Sequence, residues 1–185
     1  MEFQDNLTDK DRNWVCIIGN KIFSVKTLWV NYMAYDVHRE QDTINPCTHP
    51  FIMVKTGETM KNTHLFWYIQ VLGVFHTFAF DTNVESPTWS PQRMEFLWVH
   101  WLGINLDHRS GFRHTHLPKM GFVPHDDPNV FGFLDPLHVI HSCHLIPAFA
   151  NGKTTLLMPY QGEMFACAPC ELKDWSNFYV NMWAY

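Results

Sequence analysis

The chain has 185 residues, of which 46% are hydrophobic, 16% aromatic and only 17% charged. This composition excludes a wholly disordered protein, because so much apolar surface can offset the entropy cost of ordering the backbone. The formal net charge of −5, with 13 Lys and Arg against 18 Asp and Glu, argues against a dedicated nucleic-acid module, which is normally basic.

The N-terminus predicts a nuclear or cytoplasmic protein. The opening segment "MEFQDNLTDKDRNW" is polar and lacks the basic and then apolar order of a secretory signal. The longest uncharged run, 65–80, contains Gln70 and His76 and is shorter than the roughly 20 residues that a transmembrane helix needs. We therefore expect core strand material there, no membrane span, and five reduced cysteines with no disulfide framework.

The first half of the chain shows strand patterns and little helical periodicity. Gly19 and Asn20 suit a two-residue hairpin, so residues 14–18 are predicted to pair with residues 21–25. The segment "LWVNYMAYD" alternates like a strand with one large aromatic face. Further β segments are predicted at "FIMV", "LFWYIQVLGVF" with a bend at Gly73, and "RMEFLWVHWLG".

The second half is richer in Pro, Gly, His and Asp. Short strands are predicted near Phe122 and at 145–149, where Pro147 indicates a sheet edge or a bulge. Asp135 is a suitable N-cap and Pro136 a suitable first residue for a short helix that runs to about Ser142.

These patterns together predict a mainly β fold. We expect a single β-rich barrel or sandwich domain at 14–158 with a few short helices, preceded by a flexible N-terminus at 1–13 and followed by an irregular or degenerate tail at 159–185. The aromatic strands are like those of bromo-adjacent homology and Tudor domains, a likeness that supports a fold analogy and no function.

A zinc site is one hypothesis for the dense segment "LDPLHVIHSCH". On the predicted helix His138 and His141 are three residues apart, and Cys167 and Cys170 form a C-x-x-C pair, which together would supply four ligands. The alternative, which we favour, is no cofactor: a capped helix with exposed histidines and Cys143 as a small buried hydrophobe.

The sequence also bears on catalysis and on ligand binding. No nucleophile elbow or phosphate loop is present, so we predict no catalytic residue and no enzyme, and no small-molecule ligand. Aromatic side chains on the strands either fill a core, which is the interpretation we favour, or form a methyl-lysine cage. The cage would use Trp67, Tyr68, Trp98, Trp101, Tyr32 and Tyr35.

Several long strings resemble one known family. "VNYMAYDVHREQDTINPCTHPFIMV", "RMEFLWVHWLG" and "GFVPHDDPNVFGFLDPLHVIHSCHLIPAFANGKT" are similar to the C-terminal region of fungal transposon-associated proteins of the Plavaka transposase type. The resemblance covers about 28–158 and again 174–183. It implies an origin in a mobile element and a nuclear context, with the catalytic region of such proteins upstream of the matched segment.

The leading functional hypothesis is therefore a non-catalytic accessory domain, derived from a transposase-like protein, that contacts protein or chromatin partners. The first alternative is weak DNA binding by Arg93, Arg109, Arg113 and Lys119. In the family the position of His141 is often arginine, so the resemblance implies a weaker phosphate contact in this chain. The second alternative is a degenerate metal-dependent nuclease fragment.

Overall fold

The chain folds as a mainly β protein, which confirms the predicted fold class. The computed structural model describes residues 14–33, 39–55, 66–82, 88–105, 107–108, 110, 116–124, 126–154 and 174–181. Short 3₁₀ turns lie at Ile18–Asn20, Pro136–His138 and Phe149–Asn151. The strands in this part of the chain are, in order, β1 (Val15–Ile17), β2 (Phe23–Val25), β3 (Leu28–Met33), β4 (Arg39–Ile44), β5 (Phe51–Lys55), β6 (Phe66–Asp81), β7 (Thr88–Ile104), β8 (Lys119–Phe122), β9 (Phe131–Leu134), β10 (Val139–Ser142), β11 (Leu145–Pro147), β12 (Lys153–Thr154), β13 (Asp174–Trp175) and β14 (Asn177–Val180).

Ten strands form one curled sheet that makes a half-barrel. Its order is β10-β5-β6-β7-β8-β14-β11, with β1 and β2 added to β6 and β9 added to β7. The first and last strands of this path are separated only by Cys143 and His144. The Cys143 amide donates to the Phe51 carbonyl at 2.9 Å, and the Asn181 amide donates to the His144 carbonyl at 3.0 Å. The segment 139–147 therefore spans the two ends of the curled sheet.

Two apolar cores lie on the two faces of this sheet. The inner core fills the half-barrel and is built from Tyr68, Leu102, Met120, Phe122, Cys143, Leu145, Phe178 and Val180. The outer core lies on the convex face and is built from Ile44, Ile52, Val54, Ile69, Val71, Val74, Leu97, Val99, Leu134 and Val139. The separate β3–β4 hairpin covers the outer core, because Ile44 belongs to that core and Leu28 and Val30 pack against it.

The longest strands follow the sequence prediction closely. The predicted β segments correspond to β5, β6 and β7, and the predicted bend at Gly73 is a register shift between Val71 and Gly73 in the β6–β7 ladder. A Cβ at position 73 would lie 2.5 Å from the Phe75 ring, so the ring can keep this position only beside a glycine. Among the described strands β11 pairs with β14 alone, at an end of the sheet, which agrees with the edge position indicated by Pro147.

Two local predictions are wrong. Gly19 and Asn20 do have positive φ angles, but β1 and β2 do not pair with each other: both pair with β6, one after the other along its edge. Asp135 does cap its turn, since its carboxylate accepts from the Leu137 amide at 2.9 Å, but the helix ends at His138 and β10 follows. Branched Val139 and Ile140 favour the strand, and β5 offers an open edge for it.

The C-terminal segment contains ordered strands. Residues 159–185 are predicted to be irregular, whereas β13 and β14 lie within them and β14 sits between β8 and β11 in the main sheet. Phe178 and Val180 of β14 belong to the inner core, which explains why β14 is part of the main sheet. Residues 1–13 and 155–173 lie outside the described residues. In the described part of the chain, no helix is long and apolar enough to cross a membrane.

Candidate functional site on the long hairpin

The β6–β7 hairpin extends well beyond the half-barrel. β5 pairs with β6 only from Phe66 to Gln70, and β8 pairs with β7 only from Leu102 to Ile104. The face of the hairpin that lines the inner core at Tyr68 and Leu102 therefore continues outward, past the strands that enclose it. Along β7 this face carries alternate residues, from Leu102 through His100, Trp98 and Phe96.

Five aromatic side chains form a continuous surface on the outward part of this face, and we name it the aromatic shelf: Phe75, Phe96, Trp98, Phe131 and Phe133. The rings of Phe75 and Phe96 stack with centroids 5.6 Å apart, and the Phe133 ring meets Phe96 edge-on at 5.6 Å. Trp98 is directly opposite Phe133 in the β7–β9 ladder and lies 6.3 Å from Phe131. Phe133 is 73% exposed, while the other four are partly buried.

His100 forms the border between the shelf and the inner core. Its ring is fully buried and stacks between Phe122, at 4.4 Å, and Phe131, at 4.7 Å. Burial lowers its pKa from 6.5 to about 4, against the opposing effect of a contact between its Nε2 atom and the Val123 carbonyl oxygen at 3.3 Å. The imidazole is therefore neutral near pH 7, and it fills space between aromatic rings.

The side chains of the cage, which was the less favoured alternative, are divided between the two faces of the sheet. Trp67 and Trp101 meet edge-on at 5.6 Å and pack against the outer core. Tyr68 is buried in the inner core, and Trp98 belongs to the shelf. Consecutive residues of a strand point to opposite faces, so Trp67 and Tyr68 cannot line the same cage. The indole of Trp101 instead packs over Gly132, where a Cβ would lie 3.2 Å from its Nε1 atom.

A polar cluster fastens the β3–β4 hairpin to β10. Asp42 Oδ2 accepts from the Ser142 amide at 2.8 Å and faces His141 Nδ1 at 3.2 Å. Tyr32, a predicted cage residue, lies edge-on to the His141 ring at 4.0 Å. Its hydroxyl donates to Glu40 at 2.7 Å, and this hydrogen bond is the main reason that its pKa rises to about 12. We name Asp42, His141 and Ser142 the hairpin clamp; Tyr35 lies outside the described residues.

The predicted zinc ligands are not brought together within the described residues. His138 is exposed in a 3₁₀ turn, whereas His141 lies in β10 beside Asp42, so the two do not share a helix. Cys167 and Cys170 lie outside the described residues. No group of three or more His, Cys, Asp or Glu side chains within the described ranges is placed to hold a metal ion. Cys143 is buried as expected, which raises its pKa to about 12.

The predicted basic residues also lie apart. Arg93 pairs with Glu95 at 2.8 Å near the outer end of β7. Lys119 lies on β8, next to the opposite end of β7. Arg109 and Arg113 lie outside the described residues.

Sequence reasoning missed four of the five shelf residues, namely Phe75, Phe96, Phe131 and Phe133. The alternation of Phe96 and Trp98 in β7, and of Phe131 and Phe133 in β9, was a readable signal that each pair shares a face. The pairing of β9 with β7 is what unites the two pairs, and no local pattern predicts it.

No family model, curated protein or solved structure matches this chain.

Proposed function

We propose that this chain is a non-enzymatic accessory domain, derived from a transposon-encoded transposase-like protein, that binds a protein partner in the nucleus through the aromatic shelf. The observation that carries the proposal is the exposure of Phe133, 73%, at the β9 side of a continuous aromatic surface. Exposed apolar surfaces of this kind are typical of sites where another molecule binds.

The chemistry of the shelf favours a protein over a nucleic acid. Its neighbours toward the end of the hairpin, Thr77 and Met94, are uncharged. Arg93 and Glu95 alternate with Met94 and therefore lie on the opposite face, where they neutralise each other. The aromatic side chains of the shelf suit the apolar centre of a protein interface, whereas phosphate binding needs lysine or arginine.

Three buried ionisable groups with displaced pKa values support a non-enzymatic role. Burial raises the pKa of the Tyr68 hydroxyl and of the Cys143 thiol to about 12 each, so both are neutral parts of the inner core. His100 is held neutral between aromatic rings. These three groups therefore contribute packing, and none of them is poised to exchange a proton near pH 7.

Site-specific photo-crosslinking tests the proposal. Benzoylphenylalanine is introduced at Phe133 in one variant and at Phe149 in a matched control, because Phe149 is also a phenylalanine, 69% exposed, but lies on a separate 3₁₀ turn. Both variants are irradiated in nuclear extract and their adducts are identified. We expect discrete protein adducts from position 133 that are absent from position 149 and that disappear when Phe96 is also changed to serine.

Two results would contradict the proposal. Identical adducts from both positions would mean that the shelf has no special affinity, and adducts to DNA in place of protein would favour the DNA-binding alternative. The proposed origin is tested separately by sequencing full-length transcripts of the gene and of its genomic relatives. Transposase catalytic sequences in frame with relatives of this domain would support that origin.

A further inference from the structure

The outer edge of β9 lies beside the shelf, and no described strand covers it. β9 pairs with β7 on one side, and no strand in the described part of the chain pairs with its other side. The Trp101 amide donates to the Val130 carbonyl at 3.1 Å, so the hydrogen-bonded positions of this ladder are Val130, Gly132 and Leu134. The N–H and C=O groups of Phe131 and Phe133 therefore point away from β7, toward the open edge.

Besides β9, the sheet has open edges at β1 and β2, which are only three residues long, and two edges that are protected. The outer part of β7 carries Pro91, Arg93 and Glu95, and β11 ends at Pro147. Proline and charged side chains are the usual means of preventing a sheet edge from pairing with another chain. β9 reads Phe-Gly-Phe-Leu, with neither a charge nor a proline.

Acidic residues lie at both ends of β9. Asp126 and Asp127 are exposed just before the strand, and Asp135 is exposed just after it. The sequence has no Lys or Arg between Lys119 and Lys153, so nothing along this stretch offsets these charges. A strand that lies along β9 therefore meets an apolar centre with a negative charge near each end.

We propose that β9 binds an extended peptide segment of the partner as an added β-strand, with apolar residues against the shelf and Lys or Arg at both ends. This inference rests on the proposed function and specifies the partner. Backbone hydrogen bonds to Phe131 and Phe133 would supply the affinity, and alternate apolar side chains beside Phe133 together with the flanking cations would supply the specificity.

A synthetic peptide tests this inference on the full chain. The probe has alternating valine and threonine residues between two lysines at each end, and its matched control has glutamates in place of the lysines. We expect the lysine peptide to bind about tenfold more tightly than the glutamate peptide. On binding, hydrogen exchange of the Phe131 and Phe133 amides, followed by NMR, should slow by about tenfold or more, while the already bonded Gly132 amide changes little.

Two perturbations separate backbone pairing from simple apolar contact. N-methylation of alternate peptide amides removes the donors that an added strand needs, and it should weaken binding by about tenfold or more. In the protein, Phe133→Ala removes the ring and keeps the N–H, whereas Phe133→Pro removes both. Proline is tolerated on edge strands, so the fold should survive, and the proline variant should bind about tenfold more weakly than the alanine variant.

The outcomes distinguish this inference from the proposed function. Binding without protection of the two amides, or with equal affinity for the N-methylated peptide, would overturn strand addition and leave the shelf as the binding surface. Failure of the lysine peptide to bind would also overturn this inference, and the crosslinking at Phe133 would then decide the proposed function independently. The N-methylated peptide keeps the test decisive even if the proline variant does not fold.

Discussion

The same face of β6 and β7 is enclosed at one end and open at the other. At Tyr68 and Leu102 it is covered by side chains from β8, β14 and β10–β11, and both residues are nearly inaccessible. At Phe75 and Phe96 the same face carries aromatic rings that remain partly exposed, and Phe133 beside them is 73% exposed. Composition is therefore similar at the two ends, and only the surrounding strands differ.

The candidate site exists because the hairpin is longer than the strands that enclose it. The enclosing strands are short, with 5 residues in β5 and 4 in β8, whereas β6 and β7 have 16 and 17. The hairpin continues outward with an alternating apolar pattern that its own barrel cannot bury. Apolar side chains that are arranged as in a core but remain exposed are what we expect of a surface that another molecule covers.

Removing one aromatic ring from the enclosed end and one from the open end should give the largest difference in the free energy of unfolding. Phe178 contacts Phe51 and Phe122 in the inner core, so Phe178→Ala should lower the free energy of unfolding by about 3–5 kcal/mol. Phe133→Ala removes an exposed ring and should change it by less than about 0.5 kcal/mol. Urea unfolding of both variants measures the difference, and similar losses would show that the shelf is a second core.

Acidification should lower the free energy of unfolding through His100, which lies between the enclosed and the open end of the hairpin. The pKa of His100 is about 4 in the folded chain and near its ordinary 6.5 when unfolded, so the unfolded chain takes up the proton first. The stability that depends on the neutral His100 is therefore fully present above about pH 6.5. As the pH falls toward 4, the free energy of unfolding decreases by about 3 kcal/mol in total. The free energy of unfolding of the wild type minus that of His100→Leu, measured with urea, should therefore fall by that amount from pH 7 to pH 4. A difference that does not vary with pH would contradict the neutral buried imidazole.

The hairpin clamp controls how firmly the opposite face of the sheet is covered. Asp42→Ala leaves the Ser142 amide without its acceptor and should cost about 1–3 kcal/mol of unfolding free energy. Asp42→Asn keeps an acceptor oxygen and should cost less, which makes it the matched control. Thermal and urea unfolding distinguish the two variants; equal effects would mean that the hydrogen bond to Ser142 does not hold the hairpin.

The smallest effect is expected for the exposed ion pair on the open part of the hairpin. Arg93 and Glu95 are 2.8 Å apart, and their side chains are 55% and 44% exposed. Water and salt screen such a pair, so Glu95→Ala should change stability by less than about 1 kcal/mol. A larger loss in urea unfolding would show that charge, and not only strand pairing, stabilises the outer hairpin.

Local patterns predicted local conformation better than they predicted partners. Gly19 and Asn20 do have positive φ angles, yet the strands beside them pair with β6, because its long edge competes with the short hairpin. Asp135 is a cap, as its position indicates, but pairing with β5 ends the helix after one turn.

The candidate site shows the same limit. Alternation along one strand identifies which aromatic residues share a face, so Trp67 and Tyr68 were separable from sequence. The shelf needs strands that are distant in sequence, and the contact between Asp42 and His141 joins residues 99 positions apart. Such contacts depend on the order of strands in the sheet, which no short sequence motif specifies.

The central claim is that one face of the hairpin is core inside the half-barrel and open surface beyond it. NMR relaxation of aromatic ring protons by a soluble gadolinium chelate tests this claim directly in the free protein. We expect strong relaxation for Phe133, intermediate relaxation for Phe96, and almost none for Phe122 and Phe178. Protection of Phe133 equal to that of Phe178 would show that the chain covers its own shelf, and it would contradict the account.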